Sequence, residues 1–215
     1  VRKPTALQIA EQRHKSRTEE QIEEIKQVWN RRKLQLETYY PNLSSKVFYT
    51  EENIRKNRFE TLIAFDKKGN TILNKGGESF RVKYTPEEGK NMKDCVLTHN
   101  HPRGWGAKEN TWGRIGNSFS WEDIYTAVAN DVAEIRAVTP MYTFSLKRPA
   151  NGWNTNIYDL HNAFLKIDSE VFYENNSAYK KGNISLGMAE ATHCHKVNKR
   201  IAKQFGFLYS KKKTI

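Results

Sequence analysis

Apolar side chains recur at helical spacing over residues 1–40. They are mostly three or four positions apart among Glu, Gln, Lys and Arg: Leu7, Ile22, Ile25, Val28, Trp29 and Leu36. This period predicts one long helix over residues 5–40, with a restart at the capping sequence Thr18-Glu19-Glu20-Gln21. We expect Pro41 to end this helix. Because the chain opens with Val1, we expect residues 1–42 to be a helical connector to something upstream.

Beyond Pro41 the pattern changes from a helical period to alternation. Residues 59–65, 71–73 and 79–84 alternate as strands do, and a turn over 66–70 separates the first two. Thr85 and Pro86 have the N-cap and first-turn proline that are typical of a helix start. Residues 95–98 are largely apolar and predict a buried strand.

The rest of the chain predicts a helix, two strands and two long helices. These elements are a helix from Ser120 to about residue 130, strands over 134–138 and 141–146, and helices over 155–174 and 185–205. We expect five aromatic side chains to pack the last helices on the core: Trp153, Tyr158, Phe164, Phe172 and Tyr173. The order of elements predicts an α/β (α+β) fold with a mixed sheet and flanking helices. We divide it into a core over 43–149 and a C-terminal helical extension over 150–215.

Charge and composition narrow the classes of function. The chain has 36 Lys and Arg against 24 Asp and Glu, and its formal charge of +12 favours anionic partners such as nucleic acid. No apolar run reaches the roughly 18 residues of a membrane span, and no secretion-signal pattern opens the chain. Two cysteines, Cys95 and Cys194, cannot build a disulfide framework, so we expect a reducing compartment.

Residues with metal-binding chemistry cluster after the predicted strand over 95–98. His99 and His101 are two residues apart, and side chains of a strand alternate, so both imidazoles are expected on one side. Asp123 lies in the first turn of the next helix, three residues after Ser120. Two imidazoles and one carboxylate leave a position for water, as catalytic zinc requires. The alternative is a polar turn without metal, and the Ser-x-x-Asp spacing favours the metal.

These residues resemble a known family. His99-Asn100-His101-Pro102 followed by Ser120-x-x-Asp123 is similar to the JAB/MPN/JAMM metalloprotease motif H-x-H-P-(x)n-S-x-x-D. The likeness is greatest to bacterial and phage versions, including RadC-like domains and domains of phage head-morphogenesis proteins. Those families carry a Glu on an early core strand, and Glu60 matches that position. The resemblance covers residues 57–148 and implies a JAB/MPN-like (cytidine-deaminase-like) core.

The resemblance also implies a role for each motif residue. His99, His101 and Asp123 would bind Zn²⁺, and Glu60 would act as the general base that passes a proton from the activated water to the leaving amine. Ser120 would stabilise the oxyanion. The family's usual reaction implies a zinc-dependent peptidase or isopeptidase whose substrate is a protein or peptide, often linked to a ubiquitin-like modifier.

One departure from the family lies between His101 and Ser120, where this chain is longer. The added residues fall within 103–119 and contain Trp105 and Trp112. A long loop that is rich in Gly and Trp is typical of a substrate-clamping lid, and the alternative is a plug that has replaced activity. We favour the lid and take the two tryptophans as substrate-loop candidates.

Several alternatives stay open at the level of sequence. A non-enzymatic phage scaffold would contact capsid or portal proteins, or DNA through its basic surface, and would be virion-associated rather than confined to the cytoplasm of a bacterial host. A metal-dependent nuclease ranks lower. In HNH nucleases the three residues that give the motif its name are spread over a ββα unit, whereas His99, Asn100 and His101 are contiguous here. His193-Cys194-His195 lies in a predicted helix, where residues two apart face different sides, so we expect packing rather than metal binding.

Overall fold

The protein is described by a computed structural model that covers residues 41–77, 81–108 and 111–214. The chain divides into two compact units, Val1–Ser45 and Lys46–Ile215. The predicted helix over residues 5–40 and its restart at Thr18 lie outside the described residues. The predicted division into a connector, a core and a C-terminal extension stays a prediction.

The described residues form five α-helices and six strands. The helices are α1 (Pro41–Ile54), α2 (Pro86–Lys90), α3 (Trp121–Ala129), α4 (Ile157–Lys180) and α5 (Leu186–Phe205). The strands are β1 (Thr61–Phe65), β2 (Thr71–Gly76), β3 (Val96–Asn100), β4 (Glu134–Val138), β5 (Tyr142–Lys147) and β6 (Leu208–Lys213). Two 3₁₀ helices, Pro102–Gly106 and Trp112–Ile115, lie between β3 and α3.

The six strands form one mixed sheet in the order β2-β1-β3-β4-β5-β6. Only β3 and β4 run parallel among these neighbouring pairs, since the chain crosses from one to the other through α3. Antiparallel pairing places the start of β1 beside the end of β3, with Leu62 opposite His99. The mixed sheet with flanking helices confirms the predicted α+β class. Its topology also brings residue 60 beside residues 99–101.

Burial explains how the sheet is covered. The apolar residues of α3, α4 and α5, including Ile124, Leu160 and Ile201, belong to one core cluster with Leu97 and Ile135 of the sheet. Thr98 points the other way, because side chains alternate along a strand, and its hydroxyl donates to Glu51 of α1 at 3.1 Å. His99 therefore lies on the face covered by α3, α4 and α5.

The structure differs from the sequence prediction in three segments of the chain. Residues 41–54 are helical, whereas the sequence predicted alternation beyond Pro41. No strand forms over residues 81–84, whereas Val82 and Tyr84 pack on the core without strand pairing. The basic tail, expected as part of a helical extension, pairs with β5 as β6.

Two further differences concern particular side chains. The first strand begins at Thr61, so Glu60 immediately precedes the strand rather than lying within it. Of the five aromatic residues expected to pack on the core, Trp153 is buried and Phe164 packs against the cluster. The other three are exposed: Tyr158, Phe172 and Tyr173. They lie on the face of α4 opposite its buried residues.

Candidate metal centre

Four polar side chains converge at the carboxyl end of β3. One ligand atom from each of Glu60, His99, His101 and Asp123 lies within 4.8 Å of the other three. His99 Nε2 is 2.9 Å from His101 Nε2 and 3.2 Å from Asp123 Oδ1. His101 Nε2 is 3.6 Å from Asp123 Oδ2. The two strand ends and the start of α3 thus bring together residues that are far apart in the sequence.

These separations fit a single divalent ion. Zinc binds imidazole nitrogen and carboxylate oxygen at about 2.0–2.2 Å, so ligands at tetrahedral positions lie roughly 3.3–3.6 Å from one another. The three distances among His99, His101 and Asp123 fall close to that range. The donor set of two imidazoles and a carboxylate suits zinc and also other first-row metals. The residues present therefore fit a metal ion.

A hydrogen bond at His101 Nδ1 orients the ring so that its Nε2 faces the other candidate ligands. His101 Nδ1 lies 2.8 Å from the carbonyl oxygen of Asn117. A carbonyl oxygen can only accept, so Nδ1–H donates this hydrogen bond, and Nε2 is the ring atom that could bind a metal ion once it is deprotonated. Backbone carbonyls commonly orient metal-binding histidines in this way. Asn117 was not singled out from the sequence, because the backbone of any residue could serve.

Ser120 and Asp123 form a capping box at the start of α3. Asp123 N donates to Ser120 Oγ at 3.2 Å, and Asp123 Oδ2 accepts from both the backbone N–H of Ser120 at 2.8 Å and its hydroxyl at 3.0 Å. Asp123 is the N3 residue of this capping box, so the local geometry of the helix start fixes the position of its carboxylate. The predicted oxyanion role of Ser120 stays a prediction, and its hydroxyl bonds the carboxylate directly.

Burial and mutual charge set the protonation of the cluster. Burial raises the pKa of Asp123, but the charges and hydrogen bonds of His99 and His101 outweigh it and hold the pKa well below its usual range. Burial lowers the pKa of His101, yet the hydrogen bond and charge of Asp123 raise it on balance. Burial is the largest influence on Glu60 and raises its pKa, while His99 acts in the opposite direction. A carboxylate with a raised pKa is suited to accept a proton.

Asn100, between the two histidines, fixes the backbone around Glu60. Its side chain is fully buried, and its Oδ1 accepts from the Thr61 N–H at 2.8 Å. Its Nδ2 donates to the carbonyl oxygens of Asn57 at 3.2 Å and Phe59 at 3.1 Å. Sequence reasoning treated residue 100 only as a spacer within the motif. Its three contacts are long-range and could not be inferred from local pattern.

A cavity of about 530 Å³ opens onto the cluster. Glu60, His99, His101, Ser120 and Asp123 contribute to its wall. The rest of the wall is mixed. Leu62, Val82, Pro102, Ile135 and Cys194 are its less polar residues, and its polar or charged residues are Arg81, Tyr84, Asn117, Ser118, Glu122 and Thr126. The volume is within the usual range for a small-molecule or peptide-side-chain site and far exceeds the needs of a single ion.

The longer segment between His101 and Ser120 contains the two 3₁₀ helices. Trp112 is 47% exposed, and it does not belong to the described residues that line the cavity. The side chain of Trp105 is outside the described part of the chain. Gly116 adopts φ +69°, and a Cβ there would approach the Thr139 side chain to 2.7 Å. The end of the segment is therefore closely packed, while its predicted role as a lid stays a prediction.

The second His-x-His sequence is built differently. His193 Nε2 bonds Asp168 Oδ1 at 2.7 Å, whereas His195 Nδ1 bonds Tyr209 OH at 2.9 Å. The two rings therefore have separate partners, as helical spacing predicted. Tyr209 OH also lies 2.8 Å from Ser118 Oγ, so α5 and β6 contact the segment that carries Asn117.

Comparison of the chain with protein-family models, curated proteins and solved structures gave no significant match. Among the described residues, no helix is both long and apolar enough to cross a membrane. The geometry of the metal centre and the motif in the sequence are therefore the features that point to a function.

Proposed function

We propose that this chain is a zinc-dependent hydrolase of peptide or isopeptide bonds, built on a JAB/MPN-like core. The observation that carries the proposal is the convergence of Glu60, His99, His101 and Asp123 within 4.8 Å. Buried charged groups are either paired or coordinate a metal ion, and two imidazoles with two carboxylates are groups that can coordinate one. The motif resemblance selects hydrolysis among the reactions that such a centre supports.

Each residue has a defined task in the proposed reaction. His99, His101 and Asp123 hold the ion, which supplies Lewis-acid activation of a water molecule and of the substrate carbonyl. Glu60 accepts the proton of the attacking water and returns it to the nitrogen of the departing amine. Ser120 keeps the Asp123 carboxylate in place through its hydroxyl and backbone N–H.

The cavity supports a peptide-sized substrate. Its volume of about 530 Å³ leaves room beside the cluster for a side chain and a segment of backbone. Leu62, Val82 and Ile135 give part of the wall an apolar character. Exclusion of water by such a wall strengthens the electrostatic interactions of the reacting groups.

Hydrolysis by the zinc-loaded full chain tests this proposal. A mass-coded library of linear peptides and Lys-linked isopeptides is incubated with the wild type, with Glu60→Gln and with the surface control Glu190→Gln, and cleavage is followed by mass spectrometry. We expect cleavage by the wild type and the control, and a loss of about 10²–10⁴-fold in Glu60→Gln with its zinc content retained. A zinc-loaded chain that cleaves no member of the library, or an active Glu60→Gln variant, contradicts the proposal.

A further inference from the structure

The outer face of α4 carries a row of large exposed side chains. Tyr158, Leu165, Phe172 and Tyr179 are each seven residues apart and are 75%, 52%, 56% and 45% exposed. Tyr173, beside them, is 69% exposed. Seven residues are close to two helical turns, so the four form one stripe, which spans roughly 32 Å at 1.5 Å per residue. Large exposed apolar side chains that share one face of a helix commonly mark a binding surface.

The stripe is distinct from the side of α4 that packs on the domain. Leu160, Ile167 and Val171 are buried in the core cluster, and Asn175 is buried beside α5, where its Nδ2 donates to Ala189 O. The core packing of α4 is therefore already satisfied, and burying the outer stripe requires a second surface.

We propose that this stripe pairs with the same stripe of a second copy of the chain, with the two α4 helices antiparallel. The order of side chains is self-complementary in that arrangement. A two-fold axis near Ser169 places Tyr158 opposite Tyr179 of the second copy and Leu165 opposite its Phe172. Ser169, a small exposed residue between Leu165 and Phe172, then lies where the helices approach most closely. Such a contact is isologous and closes at two subunits.

Charges along the edge of the stripe favour this partner and this orientation. Asp159 and Lys180 lie at opposite ends of α4, each one position after a stripe residue, and both are exposed. Antiparallel pairing brings Asp159 beside Lys180 of the second copy at both ends, whereas parallel pairing would bring like charges together. Lys166 likewise comes beside the ring of Tyr173, an arrangement suited to a cation–π contact. In the described part of the chain, neither Lys180 nor Lys166 forms an ion pair.

Sedimentation equilibrium of the full 215-residue chain over a wide range of concentration tests the proposal. We expect a monomer–dimer equilibrium for the wild type, and a shift of at least about tenfold in its dissociation constant for Leu165→Glu/Phe172→Glu. Ile72→Glu/Leu208→Glu, which places the same two charges at exposed positions on the edge strands β2 and β6, is expected to leave the dimer unchanged. A wild type that is monomeric throughout, or a dimer that is insensitive to the α4 variant, overturns the proposal.

Charge exchange tests the orientation and does not depend on the apolar substitutions. Asp159→Lys and Lys180→Asp are each expected to weaken the dimer, because each places like charges together at both ends. The double variant Asp159→Lys/Lys180→Asp is expected to regain the wild-type dissociation constant. Failure of the double variant to recover overturns the antiparallel pairing. Circular dichroism of each variant confirms that α4 remains folded.

Discussion

The hydroxyl of Ser120 lies 3.0 Å from Oδ2 of Asp123, the carboxylate that also lies 3.2 Å from His99 Nε2. The contact belongs to the capping box that begins α3. The start of the helix and the placement of a candidate metal ligand therefore depend on the same hydrogen bonds. This relation explains why the spacing Ser-x-x-Asp matters chemically, because each member fixes the other.

Replacing Ser120 should affect stability and metal binding together. Ser120→Ala removes the N-cap and one hydrogen bond to Asp123, so we expect a loss of about 1 kcal/mol in the free energy of unfolding. We expect zinc affinity to fall by about 10–100-fold, since the carboxylate loses an orienting partner. Urea unfolding and zinc titration against a competing chelator measure the two effects.

The second capping box of the chain supplies a matched control. Thr85 and Glu88 form the same reciprocal pair at the start of α2. Thr85 does not line the cavity in the described structure. Thr85→Ala should therefore lower stability by a similar amount and leave zinc affinity unchanged. Equal losses of zinc affinity in the two variants would show that Ser120 acts only through general stability.

Asn100 should matter for turnover more than for metal content. Asn100→Ala removes three hydrogen bonds that hold the backbone on either side of Glu60. A displaced base loses its alignment with the reacting water, and we expect hydrolysis to fall by about 10²-fold while zinc remains bound. Asn175→Ala is the matched control, because it also removes a buried amide side chain but lies in α4. It should lower the stability of the protein without lowering turnover per folded molecule. Unchanged turnover in Asn100→Ala would contradict the positioning role.

His195 should make stability depend on pH between about 6.5 and 4. Burial, with the charges of Lys211 and Lys199, lowers the pKa of His195 from 6.5 to about 4. In this range the unfolded chain binds a proton that the folded chain does not, so the stabilising contribution is full above pH 6.5 and is lost as pH falls towards 4. In His195→Gln this loss should be absent, and urea unfolding of both proteins across the range measures the difference. Parallel pH curves for the two proteins would refute the assignment.

The parts of the site that sequence predicts are those with a local cause. Alternation along β3 and the extended residue that follows it places His99 and His101 on one side, and the capping pattern places Asp123 at the start of α3. Glu60 was found only through the family motif, because its proximity to His99 results from antiparallel pairing of β1 with β3. The contacts of Asn100 and Asn117 are likewise tertiary, and no spacing in the sequence indicates them.

The misassigned elements have similar physical causes. Half of the residues in strand β6 are Lys, which has little intrinsic preference for strands, and the strand forms because β5 offers an edge for pairing. The Lys211 ammonium lies 4.0 Å from the centre of the Tyr142 ring, which stabilises a basic strand at this edge. The sequence pattern predicts the exposed aromatic residues of α4 in the core, because the spacing of apolar residues along a helix does not distinguish a stripe that packs on the core from a stripe that faces outward.

The metal content of the purified chain tests the central claim most directly. After zinc loading and dialysis, elemental analysis should find about one zinc per chain in the wild type and none in His99→Ala/His101→Ala. The matched control His193→Ala/His195→Ala removes two histidines at the same spacing from α5 and should retain the metal. A wild type without zinc, or equal zinc in the wild type and in His99→Ala/His101→Ala, would contradict the metal centre and with it the proposed hydrolase.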